Sequence, residues 1–153
     1  MIFTRKSLYL QYHEPLKLLR WQWQGALSLS RFQEAFQELL FITLHYDVQR
    51  WMADTRGLPP LGPQEQAWLS EEWLPEFGLN TAVHHLALIL PDSLHNQLVL
   101  ESALHEAHQY DCGLIQFFSC APAALDWLAH SPGEAEMLEH QWQVSIGARK
   151  QVA

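Results

Sequence analysis

The chain has 153 residues, of which 48% are hydrophobic and 17% are charged. This length is typical of one domain, and the apolar fraction is too high for a disordered chain. The formal net charge of −8 at pH 7 disfavours nucleic acid and anionic membrane surfaces as partners, because both recruit clustered Lys and Arg. We therefore expect a single domain over residues 1–153 that does not bind nucleic acid.

The sequence predicts neither a membrane span nor an oxidised compartment. The longest apolar stretch is much shorter than the roughly 20 residues that a spanning helix needs, and Met1–Leu10 leads into no apolar segment of signal-peptide length. Cys112 and Cys120 flank a predicted strand, so they would lie too far apart for a disulfide. Free thiols and a cytoplasmic location are the expectation.

The first elements along the chain are predicted to form a β-hairpin. Ser7–Tyr12 and Lys17–Trp23 are two candidate strands, and the short turn between them favours antiparallel pairing. In the second strand apolar and polar residues alternate, with Leu19, Trp21 and Trp23 against Arg20, Gln22 and Gln24. This period of two is typical of a strand with one buried face.

A helix, a strand and a loop are predicted next. Ser30 is followed three residues later by Gln33, a capping-box pattern that predicts a helix to about Tyr46. Val48–Asp54 is the third candidate strand. Thr55–Pro63 is rich in Gly and Pro, which indicates a loop.

The next two elements are a second helix and a buried strand. Pro63 suits the first position of a helix, and the helix is expected to end at Leu74, because the residue before Pro75 is restricted against helical angles. His84–Leu90 is an almost continuous apolar run, as in a strand that is covered on both faces.

The rest of the chain predicts two more helices and one more strand. A third helix begins after Asp92 or Ser93, Leu114–Phe118 is the last strand, and Pro122–His130 is the last clear helix. Residues 131–153 form an uncertain C-terminal extension, in which 134–143 is compatible with a helix and 145–153 has the composition of a frayed end.

Alternation of strands and helices predicts an α/β fold with parallel neighbours and right-handed crossovers. We expect a single-layer mixed sheet of about five strands. Its N-terminal hairpin is antiparallel and the remainder mostly parallel, with four or five helices packed against it.

Several phrases in this order resemble a bacterial family grouped with STAS domains, which have the anti-anti-sigma-factor-like fold. They extend over most of Leu8 to Leu128 and comprise Trp21–Gly25, Arg50–Arg56, Gln66–Leu69, Trp73–Pro75 and Ala124–Leu128. The resemblance implies a STAS-like α/β domain that acts as a non-enzymatic regulatory or protein-interaction module.

The regulated STAS proteins carry a phosphorylatable serine where the loop after the central strand enters the next helix. That place holds Gly62, Pro63 and Gln64 in this chain, so no hydroxyl is available. Thr55 lies too early in the loop to replace the serine. The resemblance therefore implies partner binding without the phosphorylation switch.

Asp54, Thr55 and Arg56 are the candidate site for a ligand or partner, because ligands of open α/β sheets bind at the carboxyl ends of strands. Trp51 and Trp68 join them as aromatic groups for an apolar pocket. The alternative is structural: Asp54 binds its own turn and pairs with Arg56, and the tryptophans pack in the core.

Metal binding and catalysis find little support in the residue pattern. His105 and His108 lie three apart on a predicted helix, but no nearby group completes the three or four ligands of a zinc site. His84 and His85 are adjacent in a strand and should point to opposite faces. We find no motif for nucleophilic catalysis or phosphate binding, and expect no enzyme, no metal and no cofactor.

Two functional hypotheses follow from these observations. The first is an interaction module that binds another protein, or itself as a homodimer, through a sheet edge or an exposed aromatic helix face. The alternative is a small protein that binds an apolar ligand in a pocket between helices and sheet near Asp54 and Arg56.

Overall fold

The computed structural model describes residues 1–110 and 113–152. In them six strands form one mixed sheet whose spatial order follows the chain order. The strands are β1 (Ile2–Arg5), β2 (Leu8–His13), β3 (Leu18–Trp23), β4 (Arg50–Asp54), β5 (His85–Ile89) and β6 (Leu114–Phe118). The pairs β1–β2 and β2–β3 are antiparallel, and the three pairs from β3 to β6 are parallel. The predicted mixed α/β sheet is confirmed, with six strands instead of about five.

Helical segments connect the parallel strands and follow the last one. They are α1 (Leu29–His45), α2 (Pro63–Trp68), α3 (Leu74–Asn80), α4 (Leu94–Ala107), α5 (Ala121–Leu128) and α6 (Pro132–Val152). A π-helical turn, Leu69–Trp73, joins α2 to α3 without a break. Short 3-10 turns occur at Glu14–Leu16 and His108–Tyr110.

The winding of the chain decides which helices cover which side of the sheet. Each crossover from β3 to β6 moves to the next strand in the same direction, so right-handed connections place α1 to α4 on one face. We call this face A; it carries Trp21, Trp51 and Leu86. Face B carries Met52 and Ala87 and is covered by α5 and α6.

The strand β1 was not predicted. It is short and mostly half-buried, and its two apolar residues, Ile2 and Phe3, precede its two polar ones. Its sequence therefore shows no alternation of apolar and polar residues. A two-residue turn, with Lys6 at φ 54°, returns it to β2. The first predicted strand, now β2, is therefore not a sheet edge, since it has a neighbour on each side.

The helix after the Gly/Pro loop continues through Pro75 instead of ending before it. In a regular helix the proline ring would clash with the carbonyl four residues earlier. The π turn ahead of Pro75 is wider, and Leu74 donates its N–H to Leu69 five residues back. Burial of Leu74 and Phe77 against face A holds the chain in helical form beyond the proline.

Residues 131–153 were predicted to be an uncertain extension, but α6 belongs to the packed structure. Ala135, Leu138 and Trp142 recur at helical spacing and are buried. Ser131 accepts a hydrogen bond from the N–H of Glu134, whose carboxylate accepts from the N–H of His130. These bonds satisfy N–H groups around the helix start.

Candidate functional site

The Asp54 carboxylate lies at the end of β4 and binds its own turn. Oδ1 accepts hydrogen bonds from the backbone N–H of Arg56 at 3.2 Å and from Arg56 Nε at 3.0 Å. Oδ2 accepts from Arg56 Nη2 at 2.8 Å. The two side chains therefore form a bidentate pair, which is the structural alternative that the sequence left open.

This pair is buried at one end and open at the other. The Asp54 side chain is 1% exposed and that of Arg56 is 41% exposed. The hydrogen bond to Asp54 raises the pKa of Arg56, so the guanidinium is charged at every physiological pH. A guanidinium has five N–H donors, and the pair uses two of them. The remaining three are available to water or to a ligand.

The other three predicted site residues do not join this pair. Thr55 is buried, and its hydroxyl donates to the carbonyl of Ile89 at 2.6 Å. Trp51 lies in the face A core, where its indole donates to Thr43 Oγ1 at 3.1 Å. Trp68 packs against Phe32 on the same face. Asp54 instead lies beside Gln22 of β3 and beside Ile89 of β5, and Ile89 belongs to face B.

The apolar layer between face A and its helices contains a small cavity. Its volume is about 40 Å³, and its lining includes Trp21, Trp51 and Leu88. An engineered cavity that binds benzene has a volume of roughly 150 Å³. In the described conformation this space is therefore too small for an organic ligand.

A larger and more polar space lies beside Arg56, between the carboxyl ends of the central strands and α6. We call it the Arg56 cleft. It has a volume of about 460 Å³ and is lined by Tyr9, Gln22, Trp23, Arg56, Gly57, Asp92, Trp142, Gln143 and Ile146. Gly57 adopts a φ of +82° and donates its N–H to Asp92 Oδ2 at 2.9 Å, which fixes the loop at the rim.

A buried arginine, Arg20, lies near this cleft and was not among the predicted site residues. Arg20 Nη1 donates to Glu139 Oε2 at 3.1 Å, and its Cζ lies 4.1 Å from the centroid of the Trp142 ring. Its Nε and Nη2 have no hydrogen-bond partner among the described residues, and neither does Oε1 of its cross-strand neighbour Gln11. The signal in the sequence was an arginine flanked by the apolar residues Leu19 and Trp21.

The expectation that β3 has one buried face is wrong at Arg20. Its side chain points to face B and is 1% exposed, because α6 lies over this part of the sheet. The expectation rested on alternation in β3 alone, and the covering helix comes from the distant C-terminal segment.

His84 and His85 were expected on opposite faces, and that expectation is also wrong. His84 precedes β5 instead of lying within it, and the two Nδ1 atoms are 2.5 Å apart. Burial is the main cause that lowers the pKa of His85, and the charges of His84 and Arg50 lower it further. The described residues contain no group of three or more His, Cys, Asp or Glu side chains arranged to hold a metal ion.

Two earlier expectations concern residues at the limits of the structure. The side chain of His108 and all of Cys112 lie outside the described residues. The predicted absence of a zinc site at His105 and His108 and the predicted absence of a Cys112–Cys120 disulfide therefore stay predictions. Cys120 forms no disulfide with any of the described residues. Among the described residues no helix has the length and apolarity to cross a membrane.

Comparisons with family models, with curated proteins and with solved structures gave no match to this chain.

Proposed function

We propose that this protein is a non-enzymatic, STAS-like interaction module that binds an extended segment of another protein along β6. The observation that carries the proposal is the open, uncharged and apolar edge that β6 gives to the sheet. The family resemblance of the sequence supports the same class of function.

The backbone of β6 offers hydrogen bonds to a further strand. Leu114 donates its N–H to the carbonyl of His84, and Phe118 accepts at its carbonyl from the N–H of Leu90. In a strand the backbone groups of successive residues point to alternate sides. Ile115 and Phe117 therefore direct their N–H and C=O groups away from β5, where an added strand can pair with them.

The side chains of β6 include none of the charged or proline residues that protect an edge strand from further pairing. Leu114 is 62% exposed and Phe117 is 37% exposed, and the strand contains neither a charge nor a proline. The opposite edge, β1, ends at Arg5 and is followed by Lys6. Charged residues discourage strand addition, so the two edges differ and β6 is the receptive one.

The charge of the chain favours a different protein over a second copy as the occupant. Two copies would each carry a formal charge of −8 and would repel one another. An extended segment flanked by Lys or Arg would instead be attracted during encounter. Leu114 and Phe117 point to opposite faces of the sheet, so the segment would need one apolar side chain on each face to cover both.

Two substitutions at Phe117 separate the backbone contribution from that of the side chain. Phe117→Pro removes an outward N–H without breaking a bond to β5, whereas Phe117→Ala keeps the N–H and removes the ring. We expect a partner that co-purifies from the native host to be lost with Phe117→Pro and weakened with Phe117→Ala. Native mass spectrometry measures the complex and its stoichiometry.

A photo-reactive amino acid in place of Gln116, followed by cross-linking mass spectrometry, would then show which residues of the bound segment lie beside β6. A homodimer that depends on Phe117 would overturn the choice of a different protein as occupant. A partner that binds Phe117→Pro as tightly as the unsubstituted protein would overturn the proposed edge. Circular dichroism of both variants confirms that the sheet is intact.

The alternative function, binding of a small apolar ligand, stays a prediction. The cavity of about 40 Å³ on face A gives it no room, and the space beside Asp54 and Arg56 is polar. In the same native spectra, a retained small apolar molecule would favour this alternative.

A further inference from the structure

The Asp54–Arg56 pair presents a preorganised donor group to solvent. Asp54 is buried and holds Nε and Nη2 of Arg56 in fixed directions. A long side chain normally loses rotamer freedom when it binds a ligand, and part of that loss has already occurred here. The remaining N–H groups of a planar guanidinium match the two oxygens of a carboxylate or phosphate.

The cleft around this group has the size and lining of a site for a small organic molecule. Its volume of about 460 Å³ lies within the ~300–1,000 Å³ range of such sites. Ile146 and the almost fully buried Trp142 supply apolar lining, and Gln22 and Gln143 supply amide groups. The cleft also lies at the carboxyl ends of β3 and β4, where open α/β sheets bind ligands.

The charges near the cleft favour an anion at Arg56 over an anion elsewhere on its rim. Asp92 is an acidic group of the rim, and its Oδ2 is already engaged by the N–H of Gly57. Arg20, behind Trp142, adds positive charge, and two of its N–H-bearing nitrogens have no partner among residues 1–110 and 113–152. Asp54 offsets the charge of Arg56 and Glu139 offsets that of Arg20, so an anion would be held by direct hydrogen bonds to the Arg56 N–H groups that Asp54 leaves free.

We propose that the Arg56 cleft binds a small organic anion, with its carboxylate or phosphate on Arg56 and its apolar part against Ile146 and Trp142. This function is separate from strand addition at β6, because the cleft lies at β3 and β4 and contains no residue of β6.

The test uses benzoate and phenyl phosphate as probes of the purified full chain. We expect NMR shifts at the Arg56 Nε–H and at the backbone N–H of Gly57, with affinity that falls as salt is added. The probe that binds more tightly identifies carboxylate or phosphate as the anion. Inorganic phosphate binding as tightly as phenyl phosphate would overturn the organic part of the proposal.

Variants connect the binding to the Arg56 pair. Arg56→Gln should abolish it, and Arg56→Lys should weaken it about tenfold or more, because lysine lacks the planar fork. Arg31→Gln, at an exposed position of α1, is the matched control and should bind as before. Unchanged binding by Arg56→Gln, or no shift with either probe, would overturn the proposal.

A further variant separates this result from the β6 proposal. Phe117→Pro should bind the probes normally, because β6 does not line the cleft. Asp54→Asn keeps the Arg56 charge but loosens its orientation, so weaker binding by a folded Asp54→Asn protein would support the positioning role of the buried carboxylate.

Discussion

Arg20 shows how a charged side chain can be accommodated in the interior of this sheet. Burial lowers the pKa of Arg20, and Glu139 acts in the opposite direction through its charge and a hydrogen bond. The Trp142 ring covers the guanidinium at a distance suited to a cation–π contact. The charge is therefore compensated mainly by Glu139 of α6, with a smaller contribution from Asp54 of β4.

Loss of the Glu139 charge should leave Arg20 buried without a counterion. Glu139→Gln is expected to reduce the free energy of unfolding by about 3 kcal/mol, the range typical of a broken buried pair. Urea unfolding measures the change. Glu136→Gln, at an exposed position of the same helix, is the control and should change stability by less than about 0.5 kcal/mol.

A double substitution distinguishes the pair from simple packing loss. Arg20→Met combined with Glu139→Met should recover much of the lost stability, because apolar replacement of a buried pair is often neutral. A double variant less stable than Glu139→Gln would contradict this account of Arg20.

His85 should make stability depend on pH. Its pKa is lowered from 6.5 in the folded protein, so the unfolded chain binds more protons between the lowered pKa and pH 6.5. Stability should therefore rise with pH across this window and fall on acidification.

The pH effect is measured by urea unfolding at about pH 7.5 and about pH 5.5. His85→Asn should reduce the difference between the two free energies of unfolding. His140→Asn, at an exposed position of α6, serves as the control. An equal effect of the two substitutions would exclude His85 as the source.

At the scale of elements, α6 is held by one apolar stripe and by polar contacts along β2. Gln11 Nε2 donates to the carbonyl of Leu138 at 3.1 Å, and His13 Nε2 lies 3.2 Å from Glu134 Oε2. Near the other end of the helix, Arg149 lies over the ring of Tyr9. The contacts extend from Glu134 to Arg149, so most of the helix is anchored.

Truncation within this helix tests whether α6 is part of the fold. Trp142→Ala should cost about 3–5 kcal/mol, as expected for a buried aromatic residue. Val144→Ala, at an exposed position two residues later, should change stability by less than about 0.5 kcal/mol. A small loss for Trp142→Ala would mean that α6 contributes little to the folded state.

The sequence allowed prediction of elements whose own pattern is strong. The alternation around Trp21 and the apolar run at His84–Leu90 predicted strands that the structure contains. It indicated only part of α6, as a segment over 134–143 compatible with a helix, because the apolar stripe is interrupted by Glu, Gln and His. The expectation of a frayed end from residue 145 is wrong, since α6 continues to Val152. A signal was present: Ser131, Pro132 and Glu134 match the helix-start pattern of N-cap, N1 and N3.

The candidate site was predictable only in part for a related reason. Asp54 and Arg56 are close in sequence, so their contact follows from the turn. The opposite wall of the cleft comes from Trp142 and Ile146, and one sequence contains no information that pairs them with β4. Thr55 was assigned to the site by proximity in sequence and Trp51 as an aromatic group for an apolar pocket, and both line the small face A cavity instead of the cleft.

At the scale of the whole molecule, one sheet is shared by two apolar cores. Residues of β3, β4 and β5 contribute to both the face A and the face B clusters. Damage to either core should therefore weaken the same strands. We expect the chain to unfold as one cooperative unit.

Two core substitutions test this expectation. Leu39→Ala on face A and Leu125→Ala on face B should each cost about 2–5 kcal/mol. In both variants, far-UV circular dichroism and tryptophan fluorescence should report a single, coincident transition. A separate early transition in Leu125→Ala would show that the face B layer unfolds independently.

The one-directional winding of the sheet has a consequence for the order in which the chain matures during synthesis. All six strands and the face A helices precede α5 and α6 in the sequence, so they leave the ribosome first. Until the later segment arrives, Met52, Ala87 and Arg20 lie on an uncovered surface. Nascent domains with exposed apolar surface are prone to aggregation and to capture by chaperones. Docking of α5 and α6 therefore completes the cover of face B, and it buries apolar residues and neutralises a charge in the same event.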